Sequence, residues 1–189
     1  MRKVYFLSMA MVACVFIVAC TPKIKKPDWK FEKEAIRVHI KADQRLNLYN
    51  KKAHTLYMCF YQLGELNAFD QMTQDENGIR KLLEAKLFDP SVAAVSSKTI
   101  LSGENITLTL DRAERAEYFA VVAGYYARLS NERMVRRHKI QVFKQRQSFF
   151  KQIYQCSPCG LDIELILGPG QIVSSKIITN DKKCRNECE

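Results

Sequence analysis

An all-β sandwich with a small inserted helical element is the fold class this sequence predicts, on three observations. Ile36-Arg37-Val38-His39-Ile40-Lys41 and Ile106-Thr107-Leu108-Thr109-Leu110-Asp111 alternate apolar and polar side chains, the period of a half-buried strand. Tyr118–Tyr126 is apolar on both faces, with Phe119, Val121, Ala123 and Tyr125 on one and Ala120, Val122 and Gly124 on the other, so it reads as a central strand. Between them the period changes, with Leu66, Phe69 and Met72 recurring at helical spacing. Several short strands separated by turns, with one brief helical interlude, argue for a sandwich.

The chain opens on a targeting segment. Arg2 and Lys3 precede an almost wholly apolar run, Val4 to Ala19, that ends Ile17-Val18-Ala19-Cys20. Its length suits a signal-peptide core and falls short of the roughly 20 apolar residues of a spanning helix. A small residue just before a cysteine resembles a bacterial lipobox. That resemblance implies a signal peptide at 1–19, cleavage before Cys20 and covalent lipid on the Cys20 thiol. Thr21, rather than Asp, follows the cysteine, which by the same resemblance implies an outer-membrane protein facing the periplasm.

Residues 20–34 read as a tether broken by Pro22 and Pro27, whose Lys23, Lys25, Lys26 and Lys30 either solvate the linker or sit near anionic headgroups. The folded domain is expected over 35–189. Its first strand, 36–41, leads into a loop at 42–54, longer than the two to five residues usual in a hairpin and holding Leu46, Leu48 and Tyr49 among polar residues. Recognition residues often sit on such loops above a rigid sheet. Thr55 to Leu63 is rich in aromatic and β-forming residues. The helical insert is expected at about 66–88. Asp75 caps its second helix, the apolar stripe is Ile79, Leu82, Leu83 and Leu87, and Pro90 ends it. Further strands are expected at Val92–Ile100, Lys139–Phe143, Leu161–Leu167 and Ile172–Ile178. Residues 144–155 read as a wet connector or a short helix.

The 189 residues carry a formal net charge of +10, which removal of Arg2 and Lys3 lowers to +8. Such a balance suits nucleic acid in general, but an export signal argues against that partner. Arg133 to Lys151 is the densest basic run, and no acid occurs from Arg133 through Leu161. It reads as a solvated face or as a surface for an acidic partner or membrane phosphates. Catalytic chemistry finds little support. There are three histidines, His39, His54 and His138, and none has a nucleophile and an orienting group nearby in sequence, while Ser91, Ser96 and Ser97 lack a strand–elbow–helix context. An enzyme is not expected, nor any cofactor apart from the lipid on Cys20.

Cys59 lies in an apolar strand and reads as a buried free thiol. Cys156, Cys159, Cys184 and Cys188 form two close pairs near the C-terminus. They admit a redox pair, a four-thiolate zinc site or two structural disulfides. Export to an oxidising compartment favours disulfides, with three connectivities open.

The ordered set of Ala35-Ile36-Arg37-Val38, Leu46-Asn47, Thr55–Phe60 with Tyr61-Gln62-Leu63, Phe69, and Tyr118 through Tyr126, placed after a lipobox, resembles the outer-membrane lipoproteins of type VI secretion systems, the TssJ or SciN family. The resemblance covers about Cys20 to Arg128. Leu48 stands where family members commonly have proline, and the C-terminal extension from about Asn131 is long. The resemblance implies a transthyretin-like β-sandwich with a small helical addition. It also implies an anchoring role, in which the loop between the first two strands binds the periplasmic domain of the large inner-membrane component. Carried onto this chain, the partner-binding residues are Leu46, Asn47, Leu48, Tyr49 and Asn50. Two other readings stand beside it: another periplasm-facing lipoprotein with an envelope ligand, and a cysteine-based zinc or redox module.

Overall fold

The alternation at Ile36–Lys41 becomes the longest strand of the fold. In the computed structural model, which describes residues 23–126, 130–147 and 153–178 together with Cys184 and Cys188, β2 runs Glu32–Ala42, after a short β1 at Lys23–Lys25. The signal peptide and Cys20 lie outside the described residues. Ile36, Val38 and Ile40 are fully buried, while Arg37, His39 and Lys41 point to the other face.

The remaining elements follow in order: β3 (Leu56–Leu63), α1 (Asn67–Met72), α2 (Glu76–Leu82), β4 (Val92–Ile100), β5 (Asn105–Arg112), β6 (Tyr118–Ala123), α3 (Asn131–Met134), β7 (Val135–Lys139), β8 (Val142–Arg146), β9 (Ile153–Pro158), β10 (Leu161–Leu167) and β11 (Ile172–Ile177). Two four-stranded sheets, β11-β10-β2-β5 and β4-β3-β6-β7, face one another across the core. β10 runs parallel to β2, Leu161 beside Ile36 and Leu167 beside Ala42, so both strands finish at the same end of the sandwich. The fold is a transthyretin-like β-sandwich with a helical insert.

The helices explain why β3 and β6 are apolar on both faces. Register places Phe60 opposite Val121 and Gln62 opposite Phe119, and the Phe60 and Phe119 rings stack at 6.1 Å in the core. The opposite face, Cys59 and Tyr61 with Ala120 and Val122, lies under the insert. There Tyr61 packs on Phe69 at 5.6 Å and on Phe88 at 5.9 Å, and donates its hydroxyl to the Leu82 carbonyl at 2.5 Å. Burial holds the Tyr61 phenol well above its ordinary pKa and lifts the Cys59 thiol to about 11, so this cysteine is inert. Phe69, Ile79 and Leu82 are buried as expected. Asp75 accepts the Gly78 N–H at 2.8 Å as the cap of α2. A Cβ at Gly78 would lie 1.9 Å from the Met72 carbonyl oxygen, so only glycine lets the two helices meet this closely. The stripe is shorter than its sequence suggested. α2 stops at Leu82, Ala85 takes a left-handed φ of 53°, and Leu87 is exposed.

Two further expectations are corrected. The segment read as a tether is docked from Lys23 onward: β1 pairs in parallel with β9, the Trp29 carbonyl accepts the Arg115 N–H at 2.7 Å, and Glu32 already belongs to β2. Arg112, almost wholly buried, ion-pairs with Glu32 at 2.7 Å and lies 5.8 Å over the Trp29 ring. Residues 144–155 are neither connector nor helix at their two ends. Lys144 to Arg146 close β8 and Ile153 opens β9, which pair antiparallel in a third sheet, β1-β9-β8. The strand expected at Lys139–Phe143 is divided, ending as β7 at Lys139 and resuming as β8 at Val142.

Candidate functional site

The loop between β2 and β3 is built around four fixed points. Asp43 starts it, taking the Arg45 N–H on its carboxylate at 2.7 Å while its own N–H donates to the Leu167 carbonyl at 2.9 Å. Leu46 turns inward and is fully buried, its carbonyl accepting the His54 N–H at 2.9 Å. Asn47 follows in the left-handed region at φ 49°, which asparagine tolerates better than most residues. Its buried amide donates to the Thr55 carbonyl at 2.7 Å and accepts the Tyr126 N–H at 2.8 Å. Leu48 N–H then donates to the Pro169 carbonyl at 2.7 Å.

The tip is a tight turn. Tyr49 and Lys52 exchange two backbone hydrogen bonds, at 2.9 and 3.0 Å. The two residues between them, Asn50 and Lys51, have φ of 49° and 62°, the backbone of a primed hairpin turn. The turn lifts side chains outward: Leu48 is 40% exposed and Tyr49 50%. Tyr126, at the exit of β6, is 60% exposed and its ring lies 5.2 Å from Tyr49 and 5.1 Å from His54. Tyr49, His54 and Tyr126 thus form one aromatic cluster on a pinned backbone, with Leu48, Lys51 and Lys52 exposed in the same loop.

The five loop residues therefore divide. Leu48, Tyr49 and Asn50 are presented to solvent. Leu46 and Asn47 are not: the first fills the end of the core and the second locks the loop's two ends together. Tyr126 and His54 were not among the residues the sequence singled out for this surface. The sequence placed Tyr126 in a strand face, and only the Asn47 bridge brings it to the loop.

At the other end of β2 lie the C-terminal cysteines. Cys156 bonds Cys188 and Cys159 bonds Cys184, with Cα separations of 6.0 and 6.1 Å. Oxidised in this way the four sulfurs are not thiolates, and no group of three or more metal-binding side chains occurs among the described residues. Cys59 is free and buried.

Much of the basic run is structural. Arg136 donates to the carbonyls of Glu132, Val135 and Ile172. Arg137 reaches the Asp70 carboxylate at 2.5 Å, Thr73 Oγ1 at 2.6 Å and Asn131 Oδ1 at 2.9 Å, with its guanidinium 5.3 Å over the Phe69 ring. It clamps α1 to β7. Phe149, Phe150 and Lys151 lie outside the described residues. His39 sits between Thr107 Oγ1 at 2.9 Å and Asp162 Oδ1 at 2.7 Å. With Arg37–Asp162 and Lys41–Glu164 this forms a cross-strand ladder on the outer face of the sheet, the polar counterpart of the buried alternation.

The described fold is a β-sandwich with a pinned, outward-facing aromatic loop at one end and a disulfide-stapled terminus at the other. Residues 34–152 match the family described as type VI secretion lipoprotein, VasD, EvfM, TssJ, and the chain belongs to that family. The family is a structural lipoprotein of the type VI secretion membrane complex, not an enzyme. No curated protein sequence matches the chain. Among solved structures, the type VI secretion lipoprotein TssJ1 of Pseudomonas aeruginosa is similar at 15% identity and a TM-score of 0.56, covering 81% of this chain and 98% of that one. Serratia marcescens Lip, a membrane-bound component of the type VI secretion system, is similar at 13% identity and a TM-score of 0.52, over 77% and 97%. A structure of the TssM C-terminal domain from EAEC gives 10% identity and a TM-score of 0.53, over 76% and 97%.

Proposed function

We propose that this lipoprotein ties the type VI secretion membrane complex to the outer membrane, held there by lipid on Cys20 and facing the periplasm. Its partner is the periplasmic domain of the large inner-membrane component, gripped by the loop at 42–54. The observation that carries this reading is the cluster of Tyr49, His54 and Tyr126, with Leu48 exposed in the same loop, on a backbone already fixed by Asn47. A pinned aromatic loop loses little entropy on binding, and tyrosine supplies a large anchor with few rotors. Lys51 and Lys52 beside it speed encounter with an acidic surface more than they hold the complex. Structures of a TssM C-terminal domain and of a type VI membrane complex among those similar to this chain support TssM as the partner class.

Two measurements test the two halves. Metabolic palmitate labelling should mark the wild type and not Cys20→Ser, and the variant should lose membrane retention and secretion. Label retained at the wild-type level would remove Cys20 as the acceptor. Calorimetric titration of the mature chain with the partner's periplasmic domain should show saturable binding that depends on the loop.

A further inference from the structure

The three-stranded sheet β1-β9-β8 has no counterpart in the recognition role, and its charge is one-sided. Its strands read Lys-Ile-Lys, Ile-Tyr-Gln-Cys-Ser-Pro and Val-Phe-Lys-Gln-Arg, with cations at Lys23, Lys25, Lys144 and Arg146 and no carboxylate at all. The segment that leads from it into β2 adds Lys26 and Lys30, and β2 itself opens with Lys33 between Glu32 and Glu34. Asp28 is already engaged with Lys30 at 2.7 Å and Glu32 with the buried Arg112 at 2.7 Å. Lys25, Lys26 and Lys33 are left exposed, and Phe31 and Ile24 stand beside them 61% and 39% exposed. Exposed lysines interleaved with single apolar side chains suit the boundary between headgroups and acyl chains.

Position strengthens the case. Because the supposed tether is folded from Lys23, only Thr21 and Pro22 separate β1 from Cys20. Three residues of extended chain span at most about 10 Å. A lipid on Cys20 therefore holds β1 against the bilayer, near the distance over which surface charge is felt at physiological salt, about 8 Å. The sheet joins the sandwich at the Glu32 end of β2, where Arg112 bonds the carbonyls of Lys30 and Cys159. The recognition loop leaves from Ala42 at the far end, roughly 30 Å away for a strand of this length.

We propose that the surface formed by β1 and the segment 24–33 is a second membrane contact that lies on anionic phospholipid headgroups. The contact rests on the Cys20 anchor for its placement but not for its chemistry. Headgroup phosphates meet Lys25, Lys26 and Lys33, while Phe31 and Ile24 enter the interface. The acyl chains confine the protein to the membrane, and this face sets its orientation, so that the aromatic loop points away from the bilayer.

The test separates the contact from the anchor by omitting the lipidated residue. Residues 21–189, which contain the whole described sandwich, are exported behind a cleavable signal and mixed with vesicles of phosphatidylglycerol or of phosphatidylcholine. Sedimentation should show at least about tenfold tighter binding to the anionic vesicles, reversed by high salt. The triple variant Lys25→Gln/Lys26→Gln/Lys33→Gln should lose that preference, with an unchanged thermal unfolding curve showing that it is folded. Lys51→Gln/Lys52→Gln, at the opposite end, should keep it. Equal binding to the two vesicles, or an equal loss from the two variants, overturns the proposal. Failure of the anchor would appear instead as absent palmitate on the wild type and would leave the vesicle result standing.

Discussion

Asn47 and Tyr126 are 79 positions apart in sequence and are joined by one hydrogen bond, from the Tyr126 N–H to Asn47 Oδ1 at 2.8 Å. The other end of the same amide donates to the Thr55 carbonyl at 2.7 Å. A single buried side chain therefore fixes the start of the recognition loop against both its end and the exit of β6. Asn47→Ala strands these partners and puts a less tolerant residue at φ 49°. The expected loss is about 1–3 kcal/mol in urea unfolding, together with weaker partner binding although Asn47 itself is hidden. Unchanged stability would mean that the loop is held by other means.

Leu48 and Tyr49 should behave in the opposite way. Both are substantially exposed: the Leu48 N–H is bonded to the Pro169 carbonyl, while the Tyr49 backbone bonds within the turn, to Lys52, and its ring rests on Tyr126. The double change Leu48→Ser/Tyr49→Ser should leave the unfolding free energy nearly intact. It should weaken binding to the partner's periplasmic domain at least tenfold, about 1.4 kcal/mol by calorimetric titration. Tyr126→Ser should act in the same direction. Unchanged affinity would remove the loop from the interface.

Leu82 closes α2 over β3, with no exposed surface and with its carbonyl bonded by Tyr61. Leu82→Ala should cost about 2–5 kcal/mol in chemical denaturation. A change of a few tenths would show that the insert does not seal this face.

The pairs Cys156–Cys188 and Cys159–Cys184 close segments of 32 and 25 residues. Replacing either pair by alanines should cost about 2–4 kcal/mol. Alkylation before reduction, read by mass spectrometry on the exported protein, should leave these four cysteines unmodified. Four free thiols with stoichiometric zinc would replace the disulfides by a metal site.

His138 makes stability depend on pH. It is buried, with Nε2 2.6 Å from Ser175 Oγ, and burial first and the Arg136 guanidinium second hold its pKa below 6.5. The unfolded chain takes up the proton near 6.5, the folded chain only at lower pH. This contribution is therefore complete above 6.5 and is lost as pH falls from there through the folded value. His138→Gln should flatten that part of the profile. Thermal unfolding at neutral and mildly acidic pH compares the two slopes, and equal slopes would show that His138 does not drive the acid loss.

The elements legible in the sequence were those whose period is imposed by the core. Ile36, Val38 and Ile40, and Leu161, Ile163 and Leu165, announce strands because each inward position must be apolar. The helical spacing from Leu66 to Leu82 likewise reports a covered face. β1 and β9 escaped notice for the converse reason. Lys23-Ile24-Lys25 and Ile153–Pro158 have no buried alternation and are strands only because they pair with each other and, for β9, with β8. Leu87 misled because it keeps the stripe's spacing after the backbone has left the helix at Ala85. In the candidate site, the apolar loop was visible but the burial of Leu46 and Asn47 was not. Asn47 is held there by Tyr126, and the next residue, Leu48, by Pro169, both far away in sequence.

β2 also has a mechanical meaning. It connects the loop at 42–54 directly to the segment that follows β1, so tension between the two acts along the strand's own axis. β10 grips it on one side over seven pairs from Ile36 to Ala42, and β5 grips it on the other. Sliding β2 out would shear both ladders at once, whereas a strand peeled from its end gives way one bond at a time. Among the described residues β1 is held to β9 by three residue pairs. In the anchoring role proposed above, a pull on the loop would therefore detach β1 first. That release adds roughly 30 Å of leash from residues 23–31 before β2 bears the load. In the proposed anchoring role, the sandwich would be the rigid clamp of this linkage and the short strand β1 its shock absorber.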